Sequence, residues 1–274
     1  MKLKVGLFNK KLFKNYLTLL GVLSLFYSFV FIAIDVPDDY KKLVIICIVL
    51  ILLVIYVIMW IKANLQNNAK LSINNSTIVV KIGNIFEEGG LKAIAFNEYF
   101  DTQVDNKIIA DNSLNGIYIK SEVNDVNELD RLIESDLRIN KKVIQNNFRR
   151  TNGKKKEYEL GTIFQYNDYL LTAFTKFDDE NRAYLNMYDY VNFLLNFWNE
   201  IDIIYAGRSV SIPLFGSGIT RFKEFCTISE QELLELLIWS FKISKVKFTY
   251  PSKVSIIIHE SKKDKINFFK LKEE

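Results

Sequence analysis

Residues 16–34, YLTLLGVLSLFYSFVFIAI, and residues 43–61, LVIICIVLILLVIYVIMWI, are two uncharged apolar segments that decide the architecture of this chain. Each has about 19 residues, and a helix of that length, rising about 1.5 Å per residue, crosses a hydrocarbon core of about 30 Å. The polar link DVPDDYKK at residues 35–42 is short and contains a proline, which forces an antiparallel return. We therefore predict an N-terminal two-helix transmembrane hairpin, with spans at residues 15–34 and 43–61.

The distribution of lysine predicts the orientation of this hairpin. Five lysines lie in residues 1–14, and Lys62 and Lys70 follow the second span, whereas the link carries Lys41 and Lys42. Positive charge is enriched on the cytoplasmic side of membrane proteins. We expect a cytoplasmic basic tail at 1–14, an extracytoplasmic loop at 35–42 and both termini in the cytoplasm. A cleaved signal peptide fits the first span less well, because the apolar run is long and a second span follows closely.

The composition excludes several classes of site. The chain has 274 residues, a net charge of +4, one histidine and two cysteines. A metal centre of clustered histidine and cysteine is therefore not expected, and the two cysteines form no disulfide framework. Neither span carries an ionisable residue at mid-depth, which disfavours a transport path within one subunit. We expect no metal and no cofactor.

Residues 62–75 are polar and asparagine-rich and are predicted to be a linker, and residues 76–274 have the pattern of a soluble domain. Strand-like runs alternate with helical spacing, which is typical of a three-layer α/β domain. Strands are expected at 77–86, 91–100, 208–214 and 254–258, with further strands between 148 and 177. Helices are expected at 125–140, 184–201 and 229–242, the last with a capping box of Ser229 and Glu232.

The best candidate for a binding site is the loop after the strand at 208–214. In the sequence FGSGITR, residues 215–221, Gly216 and Gly218 allow a tight turn whose backbone N–H groups can face a phosphate. Ser217, Thr220 and Arg221 add hydroxyls and a guanidinium. The pair of glycines alone is a weak signal, since a structural turn explains it equally well, and the loop is not a P-loop.

Three motifs together resemble a macro domain: the turn Gly83-Asn84-Ile85-Phe86, the strand ending in Asn97, and the loop at 213–219. The resemblance covers roughly residues 75–262. It implies an α/β three-layer macro-like domain, with a mixed sheet flanked by helices, that binds ADP-ribose and its derivatives.

The resemblance also implies roles for single residues. The segment 216–219 matches the diphosphate loop, Asn84 stands where the family has an aspartate for the adenine amine, and Asn97 stands near the asparagine that contacts the distal ribose. His259 stands where an aromatic residue often stacks on adenine. The segment 98–102 departs from the family pattern, which puts ADP-ribose hydrolysis in doubt. The expected ligand-binding residues are Asn84, Ile85, Asn97, Asp101, Pro213, Phe215, Gly216, Ser217, Gly218, Ile219, Thr220, Arg221 and His259.

The whole chain resembles the membrane effectors of type II Thoeris anti-phage defence systems. That resemblance implies a bacterial inner-membrane protein whose domain binds an ADP-ribose-derived signal, a histidine–ADP-ribose conjugate made from NAD by a TIR-domain partner. Homo-oligomerisation, disruption of the lipid bilayer, and cell death or growth arrest would follow, without enzymatic activity. Two alternatives stay open: a membrane-tethered hydrolase that uses Asp101 and His259, and a non-catalytic scaffold.

Two further features have more than one interpretation. Arg149, Arg150 and residues 154–156 form a basic cluster that fits lipid phosphates, nucleic acid or a solvated hairpin tip. We do not expect nucleic acid as a partner. The aromatic helix from Tyr184 to Trp198 fits a packed core or a subunit interface.

Overall fold

The computed structural model describes residues 3–34, 36–178, 180–218, 220–223 and 227–273. For residues 272 and 273 it describes the backbone but not the side chains. The chain divides into two compact units. The first contains the residues up to Asn67 together with Asn267–Glu273, and the second contains Asn68–Ile266. The boundary expected at residue 75 therefore falls earlier in the chain.

Two long apolar helices form the first unit, in agreement with the predicted hairpin. They are α1 (Lys10–Ala33) and α2 (Asp38–Leu65), and both are long and apolar enough to cross a membrane. The Asn9 side chain caps α1 by accepting hydrogen bonds from the backbone N–H groups of Lys11 and Leu12. The Tyr16 hydroxyl donates to the carbonyl of Leu52 at 3.0 Å, which ties the two helices together.

A buried asparagine organises the open end of the helix pair. The Asn64 side chain accepts from the backbone N–H groups of Lys4 and Val5 at 2.8 and 3.0 Å. Its amide donates to the carbonyls of Val5 and Trp60 at 3.2 and 3.0 Å. One side chain thus satisfies the N-terminal segment and the last turns of α2, because both of its polar atoms are used.

The segment Asn267–Glu273 belongs to this same unit. Phe269 packs with Val5, Leu12 and Ala63 in a small apolar cluster. The Lys11 ammonium donates to the carbonyl of Phe269 at 2.9 Å, and its nitrogen lies 5.1 Å from the centroid of that ring. Both ends of the described chain are therefore bound to the base of the helix pair.

In its described residues the second unit contains eleven strands and five α-helices. Its strands are β1 (Asn68–Ile73), β2 (Ser76–Ile82), β3 (Leu91–Asn97), β4 (Val143–Asn146), β5 (Lys156–Tyr158), β6 (Ile163–Tyr166), β7 (Tyr169–Phe177), β8 (Ala183–Leu185), β9 (Val210–Pro213), β10 (Arg221–Phe222) and β11 (Lys253–Ile258). Its helices are α3 (Leu114–Glu122), α4 (Val126–Ser135), α5 (Leu137–Asn140), α6 (Met187–Ile204) and α7 (Glu230–Ile243).

A mixed sheet with the order β1-β2-β11-β9-β3-β7-β8-β10 forms the middle layer, and β6 pairs with β7. The neighbours β2, β11, β9, β3 and β7 are parallel, so their C-terminal ends share one edge. The small helices α3 to α5 pack on one face, around Phe96 and Leu171. On the other face Phe174 contacts Phe193 of α6, with ring centroids 4.7 Å apart. This is the predicted three-layer arrangement.

Several elements differ from the expectations, among them the strands β4, β8 and β10, which were not predicted. Residues 68–73 form β1 rather than a linker, because Ala69, Leu71 and Ile73 alternate inward and are buried. The single helix expected at 125–140 breaks at Asp136, whose carboxylate caps α5 by accepting from two N–H groups. Helix α3 was not predicted, since its apolar residues are few and its cap, Ser113, lies in a polar run.

We predict that Asn64→Leu loosens the N-terminal segment of the first unit. The change leaves the buried N–H of Val5 without an acceptor, which costs about 1–3 kcal/mol. Hydrogen–deuterium exchange on the detergent-solubilised protein should show amides at residues 4–7 exchanging roughly tenfold faster or more. Leu65→Ala is the matched control, because Leu65 is exposed. Unchanged exchange in Asn64→Leu would contradict the assigned role.

Candidate functional site

A cavity of about 560 Å³ opens at the C-terminal ends of the parallel strands. Residues that follow β2, β9 and β11 line it together with residues near the ends of β3 and β7. The loop at 108–113 and the first turn of α3 close the opposite wall. This is the edge at which α/β sheets place ligands, because loops and helix N-termini supply polar groups there.

The glycine loop after β9 forms one wall, as the sequence predicts. Gly216 has φ +84°, and a Cβ at that position would lie 2.9 Å from the ring of Phe222. Phe215 anchors the loop from below, because its buried ring packs 4.9 Å from Phe193, centroid to centroid. Ser217 closes the turn through its hydroxyl, which donates to the carbonyl of Leu214 at 2.7 Å. Contacts within the protein therefore hold the turn in this shape.

The turn after β2 forms a second wall. The Asn84 side chain oxygen accepts from the backbone N–H of Phe86 at 3.2 Å, and its amide donates to Glu87 at 3.2 Å. These bonds cap a short 3-10 helix at Ile85–Glu87. Asn84 thus has a structural role in the turn while its exposed side chain also lines the cavity.

Asn97 connects the cavity to a buried charge. Its amide donates to a carboxylate oxygen of Asp101 at 2.7 Å, and its oxygen accepts from the backbone N–H groups of Tyr99 and Asp101. Asp101 is 1% exposed and is paired with the Arg150 guanidinium at 2.6 Å. Its other oxygen accepts from the backbone N–H of Lys154 at 2.7 Å. Asp101 is therefore a structural anion that braces the loop at 147–155.

The segment after β11 forms a further wall of the cavity. His259 is exposed, lines the cavity and caps the 3-10 helix Glu260–Lys265, with its Nδ1 atom 2.8 Å from the Ser261 hydroxyl. Lys262 also lines the cavity and is paired with Glu230 at 3.0 Å. Burial acts to raise the pKa of Glu230, but hydrogen bonds from Lys265 and Lys262 outweigh it and hold that pKa below its usual range.

The lining has the chemistry of a site for a neutral or anionic polar molecule. Among its described residues are four asparagines, several hydroxyl groups, one histidine and one lysine, and no carboxylate. No cluster of metal-ligating side chains occurs in the described part of the chain. A glycine turn next to amides and hydroxyls can bind phosphate and ribose oxygens through hydrogen bonds rather than through a cation.

Most of the expected binding residues converge on this cavity. Those that line it are Asn84, Ile85, Asn97, Pro213, Phe215, Gly216, Ser217, Gly218, Thr220 and His259. Asp101 and Arg221 are not brought to it, because Asp101 is buried behind Asn97 and Arg221 lies on the short strand β10. Ile219 lies outside the described residues.

Several lining residues were not anticipated from the sequence. They are Phe86, Phe174, Thr175, Phe177, Ala183, Ser261, Lys262 and the wall formed by Ile108, Ile109, Ala110, Asn112, Ser113, Leu114, Asn115 and Ile117. The Asn-Ser-Leu-Asn run at 112–115 carried a usable signal, since Ser113 is the N-cap of α3 and accepts from the backbone N–H of Gly116. The residues of β7 gave none, because their apolar pattern is that of a buried strand.

One buried acid next to this network has a raised pKa. Glu98 is 4% exposed and follows Asn97 directly. Burial raises the pKa of its carboxyl to about 7, against a hydrogen bond from the backbone N–H of Phe177 that lowers it. Folding therefore favours the neutral form of Glu98.

The chain is similar in sequence to one protein family and in fold to solved macrodomains. A family model described as Thoeris protein ThsA, Macro domain, matches residues 78–259. The chain is 43% identical over 262 residues to the Thoeris protein ThsA of Bacillus amyloliquefaciens (strain Y2), covering 94% of this chain and 86% of that protein. The Oceanobacillus iheyensis macrodomain with ADP has a TM-score of 0.46 at 11% identity, covering 75% of this chain and 94% of that one. A mutant of that macrodomain with ADPR has a TM-score of 0.46 at 12% identity, covering 75% and 96%.

The protein thus consists of a macro domain joined to two long apolar helices. It belongs to the family of the Thoeris protein ThsA. The predicted family and fold class are confirmed, and membership assigns the chain to antiviral defence.

We predict that Gly216→Ala destabilises the second unit by about 1 kcal/mol or more, because alanine disfavours positive φ and its Cβ would press on the Phe222 ring. Gly218→Ala is the matched control, since a Cβ there meets no described atom within 4 Å. Thermal unfolding of both variants in the same detergent checks this. Equal melting temperatures would contradict the requirement for glycine at position 216.

We predict that Glu98→Gln removes a pH dependence of stability. The folded protein binds the Glu98 proton more tightly than the unfolded chain, so the free energy of unfolding falls as pH rises from about 4.5 to about 7. Gln keeps an acceptor for the Phe177 N–H, and the variant should be more stable than wild type at pH 8, by up to about 3 kcal/mol. Thermal unfolding at pH 5 and pH 8 measures this. A wild-type to variant difference that is the same at both pH values would contradict it.

Proposed function

We propose that the protein is a membrane-anchored effector of bacterial anti-phage immunity whose macro domain binds an ADP-ribose-derived signal. The observation that carries the proposal is the preformed cavity at the end of the parallel strands, with a glycine turn, amides and hydroxyls and no described carboxylate. Such a lining suits a molecule that brings its own negative charges. Membership of the ThsA macro-domain family supports this ligand class.

Within the cavity we assign the phosphates to the loop at 216–218, with the backbone N–H groups of Gly216 and Gly218 as the donors. Asn84 and His259 are assigned to the base, and Asn97 to a ribose hydroxyl. Lys262 is the lining ammonium, but it is held by Glu230. Discrimination between ligands therefore rests on shape and neutral hydrogen bonds, which reject a molecule that leaves buried groups unpaired.

We propose a sensor rather than a hydrolase. A hydrolase needs a group that activates water within reach of the bound ligand. Asp101, the carboxylate considered for that role, is outside the cavity lining and its oxygens already accept from Asn97, Arg150 and Lys154. His259 has its Nδ1 atom engaged with Ser261.

The two apolar helices supply the output in this proposal. They insert in the inner membrane with both termini in the cytoplasm, as the lysine distribution indicates. A TIR-domain partner produces the signal, a histidine–ADP-ribose conjugate, and binding biases the domain towards homo-oligomers whose hairpins disrupt the bilayer. Only a difference in ligand affinity between the resting and assembled states drives such a shift.

Calorimetry with full-length protein in detergent tests the ligand assignment. We predict that ADP-ribose or its histidine conjugate binds wild type and that Gly218→Val lowers the affinity at least tenfold by filling the cavity, while the melting temperature stays close to wild type. Gly89→Val is the matched control, because Gly89 also has no described atom within 4 Å of a Cβ and does not line the cavity. Absence of binding to wild type, or equal affinities for both variants, would refute the assignment.

A further inference from the structure

The turn between β4 and β5 carries basic side chains that form no ion pair with the described residues. The turn at residues 147–155 is named the basic tip. Arg149 and Lys155 on it, and Lys141 just before β4, are exposed and have no acidic partner among the described residues. The stretch from residue 137 to residue 156 contains no aspartate or glutamate. The surface formed by the basic tip and Lys141 therefore carries positive charge that no described acidic side chain pairs with.

Exposed apolar groups accompany these cations. Phe148 is 78% exposed at the basic tip, and Ile144 on β4 is 59% exposed. The Lys155 ammonium lies 5.9 Å from the centroid of the Phe148 ring. An aromatic ring beside Lys and Arg is the combination that enters the interface of an anionic bilayer, because the ring reaches the acyl boundary while the cations remain among the headgroups.

Buried contacts with Asp101 and Tyr99 hold the basic tip in place. The Arg150 side chain is turned inward, where it pairs with Asp101 and stacks on Tyr99 at 4.0 Å. Gly153 has φ +82°, and a Cβ there would lie 2.6 Å from the Asp101 carboxylate. The buried charges thus fix the loop, so Phe148 is presented at little further cost in conformational entropy.

The strand register puts the basic tip at the sheet edge where the hairpin joins the domain. Asn68 begins β1 only two residues after α2 ends and pairs with Lys81, near the C-terminal end of β2. Asp101, which holds the basic tip, follows the C-terminal end of β3. Strands β1 and β3 are four places apart in the sheet, so along this edge the separation is roughly 20 Å.

We propose that the basic tip docks on anionic lipid headgroups of the bilayer that holds the hairpin. The proposal rests on insertion of the hairpin and is independent of the ligand. Since Asn97 links the cavity lining to Asp101 and hence to the basic tip, a docked tip also holds the cavity edge close to the membrane surface.

Site-specific fluorescence on the full chain in nanodiscs tests docking. Phe148→Cys, in a background with Cys47→Ser and Cys226→Ser, carries an environment-sensitive dye. The emission should shift to the blue in discs of phosphatidylcholine with about a third phosphatidylglycerol, but not in phosphatidylcholine alone. The control label is at Tyr250→Cys. Tyr250 is 90% exposed and precedes β11, so it lies at the N-terminal end of the parallel strands, opposite to the basic tip. The emission of this label should not shift.

Charge variants give the second arm. Arg149→Gln with Lys155→Gln should abolish the shift, whereas Lys245→Gln with Lys247→Gln, an equal loss of charge at other exposed lysines, should leave it intact. An equal shift at positions 148 and 250, or no shift in protein that elutes with the discs, would overturn docking. A shift produced by single-stranded RNA or duplex DNA and not by the anionic lipid would overturn it in favour of nucleic acid. Failure of the protein to elute with discs would remove the insertion premise and the proposal with it.

Discussion

The parallel alignment of five neighbouring strands is the constraint on which the rest of this molecule depends. Because β2, β11, β9, β3 and β7 point the same way, the segments that follow them meet at one edge of the sheet. The cavity forms there from pieces of chain that are far apart in sequence. Strand β1 runs antiparallel to β2, so the residue that joins the domain to the helix pair lies at this same edge. The cavity and the point at which the domain continues into the helix pair therefore share one side of the sheet.

A buried ion pair links the cavity lining at that edge to the loop at 147–155. Asp101 and Arg150 are both almost fully buried, and removing either partner of such a pair typically costs about 3–5 kcal/mol because the other charge is stranded. The pair has a hydrogen bond to Asn97 on the cavity side and to the backbone of Lys154 on the other. Asp101, which the sequence offered as a catalytic candidate, holds the segment after β3 and the loop at 147–155 together.

The sequence was sufficient for the elements whose signals are local. Two uncharged runs of about 19 residues required two long helices, the capping box at Ser229 predicted the start of α7, and Gly216 and Gly218 predicted a tight turn. It was insufficient where the outcome depends on tertiary packing. The polar stretch after α2 became β1 because its inward side chains meet the sheet, and the far wall of the cavity comes from a loop whose one local signal is the N-cap Ser113. The place of Asp101 depends on Arg150, 49 residues further along the chain.

We propose that the cavity and the helix pair act as one device, in which ligand binding changes what the helices do to a bilayer. Dye release from vesicles containing the full-length protein is the test. We expect little release in buffer, release on addition of the histidine–ADP-ribose conjugate or ADP-ribose, and none with Gly218→Val. Release that is the same with and without the nucleotide, or intact vesicles under conditions where calorimetry shows saturated binding, would contradict it.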